Sequence, residues 1–365
     1  MNKYVKYISA AVLIALAGCN GRDFDITGSD EDSRIYLAAE VSVRPQTKSP
    51  YVPVVDDDTY SDSPTYEDPL YAAVWASSEA YQFVDGQNPG SESNPSVAMH
   101  TVATFQNRGP QLLSDMIYSK GGHPIYFVAF SPQAGWGCSD DGTKSWFTFD
   151  GSQDVMFADQ VEGKYGNKDE AGNLKWPVLR FHHILTWIRF EIIAENEDVS
   201  MTWGKLLDIS IASKNKAEIN LGSAYDEDNP DAHISFTSDV TDMPLYHNDA
   251  DSDTPFPGST PYEIPYDKAD EAAYVLCAPV TAMEYNPDRA TEPIEEYILT
   301  VKTENREQTV PIDLKISDSQ YFTGTTMGRQ FTIRLIFKMG DNITVAARSE
   351  DWNTGGIIEG TFDEI

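Results

Sequence analysis

Ile35-Tyr36-Leu37-Ala38-Ala39-Glu40-Val41-Ser42-Val43 alternates without a break. Its odd positions, Ile35, Leu37, Ala39, Val41 and Val43, are all apolar, while the even positions carry Tyr36, Ala38, Glu40 and Ser42. Successive side chains of a strand point to opposite faces, so this period of two predicts a strand with one face in a core. Arg44-Pro45 ends it, because a prolyl nitrogen has no hydrogen to donate to a ladder. Pro45 to Pro69 is a loop rich in Pro, Asp, Ser and Tyr.

Farther along, Ile125-Tyr126-Phe127-Val128-Ala129-Phe130 is apolar at every position. Such a run predicts a central strand covered on both sides. Shorter runs surround it at Tyr71 to Trp75, Val97 to Phe105, Trp146 to Phe149 and Val155 to Ala158, separated by Gly, Pro, Asn and Asp. Helix patterns are scarce; Pro110 to Tyr118 and the first part of Asp267 to Ala273 are the two stretches that suggest one. A second block of strands opens at Val178-Leu179-Arg180-Phe181 and continues through Leu206 to Ala212, Tyr297 to Lys302 and Gln330 to Phe337. Many short strands with turn residues between them predict an all-β protein made of β-sandwiches. The length predicts two domains in tandem, 34–175 and 176–365.

The segment before the first strand is of a different kind. Lys3 and Lys6 form a basic head, Ile8 to Ala17 an apolar core, and Leu16-Ala17-Gly18-Cys19 a close. An apolar core of this length is short of the roughly 20 residues that span a bilayer, so residues 1–18 read as a signal peptide. The cysteine after Leu-Ala-Gly resembles a bacterial lipobox, which implies cleavage before Cys19 and acylation of that residue. Residues 19–33 are polar and acidic, a flexible linker between lipid and fold. The whole chain holds 26 basic and 58 acidic residues, a net charge of -32. A body of that charge repels nucleic acid and anionic headgroups. Beyond Cys19 only Cys138 and Cys277 remain, in different halves, and they read as two separate thiols.

Enzyme signatures are missing from the sequence. There is no phosphate-binding glycine loop, no Gly-x-Ser-x-Gly elbow, no Cys-x-x-Cys pair and no His-Glu-x-x-His. His182 and His183 are adjacent on a predicted strand and so face opposite ways, as do Glu295 and Glu296. Asp249, Asp251 and Asp253 have the opening spacing of a calcium loop but lack its glycine and its closing Glu. No catalytic residue, metal or cofactor is expected.

The order of several motifs resembles a family. After the lipobox and the early strand come Pro124-Ile125-Tyr126-Phe127-Val128-Ala129-Phe130-Ser131-Pro132 and Asp154-Val155-Met156-Phe157-Ala158. Leu179-Arg180-Phe181-His182-His183-Ile184-Leu185, Tyr321-Phe322-Thr323-Gly324 and Asp351-Trp352-Asn353-Thr354-Gly355-Gly356 follow. The series is similar to the fimbrillin A family of Bacteroidetes surface lipoproteins, over essentially the whole mature chain. The resemblance implies two transthyretin-like, Greek-key β-sandwich domains and export to the outer membrane as a lipoprotein. It further implies proteolytic removal of the first strand and its replacement by a strand of another pilus subunit. Ile35, Leu37, Ala39, Val41 and Val43 would then be the exchanged strand, and Ile358 and Phe362 the apolar residues of a donor tail. A host or bacterial surface ligand is a further expected partner.

Two features depart from the family pattern. Pro45 follows the basic Arg44 and makes a poor scissile partner, so Lys48-Ser49 is the better processing site. The tail after Trp352 is short, which leaves a strand-donating stalk subunit and a strand-accepting tip subunit both open. A different reading is a monomeric outer-membrane lipoprotein that binds glycan or host protein through loop aromatics such as Tyr60, Tyr66, Trp136 and Trp146. The anchor is common to both. Replacing Cys19 with Ala is expected to abolish labelling of the protein by a palmitate analogue in growing cells; undiminished label on the Ala variant would contradict the lipobox.

Overall fold

The computed structural model describes residues 34–41, 55–56, 65–66, 70–83, 99–105, 111–118, 122–168, 174–226, 229–248, 254–282, 297–312, 315–317, 320–321, 324–340 and 342–350. The strands of the first half are β1 (Arg34–Val41), β2 (Leu70–Ser77), β3 (Met99–Phe105), β4 (Gln111–Ile117), β5 (Ile125–Ser131), β6 (Lys144–Thr148), β7 (Met156–Gly163) and β8 (Val178–His183). The second half contributes β9 (Thr186–Ala194), β10 (Leu206–Ser213), β11 (Lys216–Asn220), β12 (Ile234–Phe236) and β13 (Thr241–His247). It continues with β14 (Asp270–Cys277), β15 (Tyr297–Thr303), β16 (Glu307–Ile312), β17 (Gln330–Lys338) and β18 (Asn342–Glu350). The protein is all-β, as its spaced apolar runs predict.

Seven strands form the first sheet in the order β3-β2-β5-β7-β8-β1-β4. Its two end strands, β3 and β4, approach each other, so the sheet curls around one core. Ile35, Leu37, Val74, Phe105, Phe127, Met156 and Phe181 fill that core. The second sheet runs β16-β15-β10-β13-β14-β9-β17-β18, with Pro255–Phe256 paired to β13. It curls likewise, bringing β16 against β18. The apolar run at residues 125–130 is covered on both sides: Phe127 and Ala129 enter the first core, Val128 and Phe130 the second.

A small third sheet joins the halves. It orders β12-β11-β6 and the Gly137–Cys138 strand, so Lys144–Thr148 of the first half pairs with Lys216–Asn220 of the second. Phe130, Trp136 and Phe147 stack beneath it, with ring centroids 4.5 and 5.0 Å apart. The sheet-to-sheet transition lies at Ile184-Leu185, because β8 pairs with β7 and β1 whereas β9 pairs with β14 and β17. At this crossing His183 Nδ1 meets Asp154 Oδ2 at 2.5 Å, both side chains 1% exposed. Asp154 Oδ1 also accepts the Val155 N–H at 2.8 Å. A buried charge-capable pair of this kind is held only if its remaining hydrogen bonds are made, and here the backbone supplies one.

Two expectations fail. Pro110 to Tyr118 is not a helix but contains β4, and Asp267 to Ala273 runs into strand β14. In each case a neighbouring strand offers a ladder, β1 for the former and β9 for the latter, and that pairing outweighs weak helix propensity. The one α-helix of the described residues, α1 (Glu197–Trp203), follows a signal that the apolar pattern hides. Asn196 Oδ1 caps it by accepting the Val199 N–H at 3.0 Å, with Glu197 and Asp198 in its first turn. Trp203 buries its ring and donates its indole N–H to the Lys338 carbonyl at 3.0 Å. Both cysteines beyond the leader are free thiols; Cys138 is partly buried, and burial pushes the Cys277 thiol up to about 12.

His182 and His233 flank Tyr225 at this junction, with ring centroids 4.9 and 5.3 Å from it. His233 is buried and its Nε2 has no hydrogen-bond partner, so desolvation holds its pKa below the ordinary histidine value. Above roughly pH 6.5 both folded and unfolded chains carry it neutral. Below that value the unfolded chain takes up the proton first, and stability falls as pH drops toward the folded-state pKa. Urea midpoints measured from pH 7.5 to 5 should show this decline, and the His233→Phe protein should show a shallower one; equal slopes would exclude His233 as the source.

Candidate functional site

The first strand and the groove around it form the site that the sequence singles out. β1 alternates as expected: Ile35, Leu37, Ala39 and Val41 are buried, while Arg34 and Glu40 are exposed and Tyr36 and Ala38 half-buried. Full burial of side chains such as Ile35 and Leu37 contributes about 1.5–3 kcal/mol each, so the strand is part of the core.

Its backbone is paired on both sides, but by different halves. Toward its start it runs antiparallel to β4, with Ile35 opposite Leu113, Tyr36 opposite Leu112 and Leu37 opposite Gln111. Toward its end it runs parallel to β8, with Ala38 opposite Val178, Ala39 opposite Leu179 and Val41 opposite Phe181. Ala38 N–H donates to the Pro177 carbonyl at 3.0 Å where the two ladders overlap. On the outer surface Glu40 and Arg180 approach to 3.6 Å with both side chains about half exposed, which adds little. The groove floor consists of Leu113, Phe127, Leu179 and Phe181. Removing β1 would leave β4 and β8 as unpaired edges over an open apolar trench.

The second half has the same local arrangement with a permanent occupant. β9 lies between antiparallel β14 and parallel β17, as β1 lies between antiparallel β4 and parallel β8. Two residues link β9 to β8, whereas residues 42–69 separate β1 from β2.

Val43, the expected processing residues Arg44 and Lys48, the expected lipidation residue Cys19 and the tail residues Ile358 and Phe362 lie outside the described residues, as do Asp249, Asp251, Asp253, Glu295 and Glu296. His182 and His183 face opposite ways, toward Tyr225 and Asp154 respectively. Trp136 is packed between Phe130 and Phe147 and donates its indole N–H to the Pro132 carbonyl at 2.8 Å. Trp146 lies under the Lys216 ammonium at 5.2 Å. Neither ring is a bare platform for a sugar. Among the described residues no group of three His, Cys, Asp or Glu is arranged to hold a metal, and no helix is long and apolar enough to cross a membrane. The groove walls β4 and β8 escaped the sequence reading as partners of β1. The outward-facing Leu112 breaks the alternation of β4, and parallel pairing leaves no turn signature between its strands.

No family model matches the chain, and no curated protein matches it. Solved structures do align with it. A Bacteroides uniformis protein described as a candidate cell adhesion protein is 15% identical, with 88% of this chain and 99% of that one covered at a TM-score of 0.47. A fimbrial protein of Bacteroides vulgatus is 15% identical, with coverage of 87% and 99% and a TM-score of 0.37. The fimbrial anchor protein Mfa2 of Porphyromonas gingivalis is 10% identical, with coverage of 87% and 98% and a TM-score of 0.37. These structural neighbours are cell adhesion and fimbrial proteins of Bacteroidetes, and at such identities and scores the likeness assigns no activity to this chain.

Proposed function

We propose that the protein is a structural and adhesive subunit of a cell-surface fimbria, with no enzymatic activity. In this reading it reaches the outer membrane as a lipoprotein precursor and assembles when its first strand is removed and replaced by a strand from another subunit. The observation that carries the reading is the position of β1, an interior strand of the first sheet with four buried side chains and partners on both edges. It is also the first strand of the chain, tied to the rest through one loop that contains Arg44 and Lys48. A cut in that loop leaves the strand held by non-covalent contacts alone, so an incoming strand with alternating apolar residues can displace it. The corresponding strand of the second half, β9, continues directly from β8 and cannot be exchanged in this way.

Limited trypsin treatment is expected to cut between Arg44 and Lys48, preferably after Lys48, and to leave a folded protein that polymerises or accepts an added donor peptide. Mass spectrometry locates the cut and gel filtration follows size. Resistance of this loop, or a trimmed monomer that takes no donor, would count against assembly by strand exchange. In the untrimmed protein Leu37→Ala should lower stability by about 2–5 kcal/mol in denaturant titration, and after trimming the same change should speed replacement of the strand.

A further inference from the structure

At the start of β1 a small cleft opens on the outer surface, with Arg34, Tyr36, Tyr118, Lys164, Lys175 and Trp176 in its lining. The hairpin that brings the two lysines there leaves β7 at Gly163, where an added Cβ would lie 2.1 Å from the Tyr118 hydroxyl. It turns through Gly166 at φ +62° and returns with the Lys175 N–H donating to the Asn167 carbonyl at 2.8 Å. On this acidic chain several cations meet carboxylates. Lys144 meets Glu218, Lys205 meets Glu263 and Arg334 meets Glu191. Arg34, Lys164 and Lys175 form no ion pair among the described residues. The Tyr118 side chain is 6% exposed, and burial keeps its phenol protonated as a donor far above neutral pH.

The rim of this cleft is apolar. Leu112 stands opposite Tyr36 and Val178 opposite Ala38, all on the outer face of the sheet. Leu112, Val178 and Trp176 are 45, 46 and 38% exposed, and the Trp176 ring lies 6.1 Å from that of Tyr36. Cations without an ion pair among the described residues, beside exposed Trp, Leu and Val, match a surface that presents phosphates over a hydrocarbon boundary.

We propose that this end of the first half docks on an anionic lipid surface, with a headgroup phosphate held by Arg34, Lys164 and Lys175 and with Leu112, Trp176 and Val178 against the headgroup boundary. The position of the chain supports that occupant. Arg34 begins the described fold, and Cys19, the expected lipid attachment point, is 15 residues before it, a reach of at most about 54 Å. This last support rests on reading Cys19 as acylated; the cleft and its rim do not. The acidic body does not forbid contact, since charges beyond a Debye length of about 8 Å at physiological salt are largely screened.

The test is flotation of the full-length Cys19→Ala chain with phosphatidylcholine vesicles, with and without phosphatidylglycerol. Cys19→Ala removes acylation, and the apolar leader is common to every variant, so differences report the cleft. Anionic vesicles should bind the protein more tightly than neutral ones. Lys164→Gln with Lys175→Gln should weaken that binding about 30-fold, taken from two lysines near a charged surface. Trp176→Ala should weaken it further, and Lys302→Gln on the second sheet should leave it unchanged. Unaltered urea midpoints confirm that the exposed substitutions leave the fold intact. Equal binding to both vesicle types, or a double variant that binds like the parent, would overturn the proposal. So would binding of soluble glycerol phosphate without vesicle binding. Vesicle binding that appears only when Asp30, Glu31 and Asp32 are neutralised would mean that the chain's own acids occupy the cleft, and would overturn it as well.

Discussion

The backbone N–H and C=O groups of a strand inside a sheet need partners, and β1 takes its ladders from two neighbours, one for each half of its length. Its start is antiparallel to β4 and its end is parallel to β8. The curled first sheet depends on this division, because β1 is the strand that connects β8 to β4 and so brings the end strands of the sheet together. The inward row of Ile35, Leu37, Ala39 and Val41 fixes the register, since a slip by one residue would turn Glu40 and Tyr36 into the core. An integral strand that is also the first of the described strands has an unusual property. It belongs to the core, yet in the proposed reading one break after it would make it replaceable.

The second half explains why replacement would be local. β9 repeats the position of β1 between an antiparallel and a parallel neighbour, but it continues directly from β8. The two halves are also fastened independently of β1. The third sheet pairs β6 with β11, the rings of Phe130, Trp136 and Phe147 stack below it, and Asp154 meets His183 at the crossing. None of these contacts includes a residue of β1.

Net charge describes the long-range field of this protein and not each face of it. The sequence total of -32 argues against anionic partners for the body as a whole. Folding nevertheless gathers Arg34, Lys164 and Lys175 around one cleft, although more than a hundred residues separate the first from the other two. Screening makes the nearest charges decide at contact, so a basic cleft can act on an acidic molecule.

The sequence by itself determined the all-β class, the first strand with its buried face, and the central strand at residues 125–130, because side-chain alternation and continuous apolarity are local properties of a chain. It also determined that His182 and His183 face opposite ways, which follows from adjacency on a strand. Only the tertiary structure decided which strands flank β1, since parallel neighbours far apart in sequence leave no turn signature between them. It decided, too, that Pro110 to Tyr118 and Asp267 to Ala273 carry strands, because a ladder offered by β1 or β9 is a non-local interaction that outweighs local helix preference. The Asp154–His183 pair and the basic cleft belong to the same class: they are distances across the fold, set by how the sheets curl and where the halves meet.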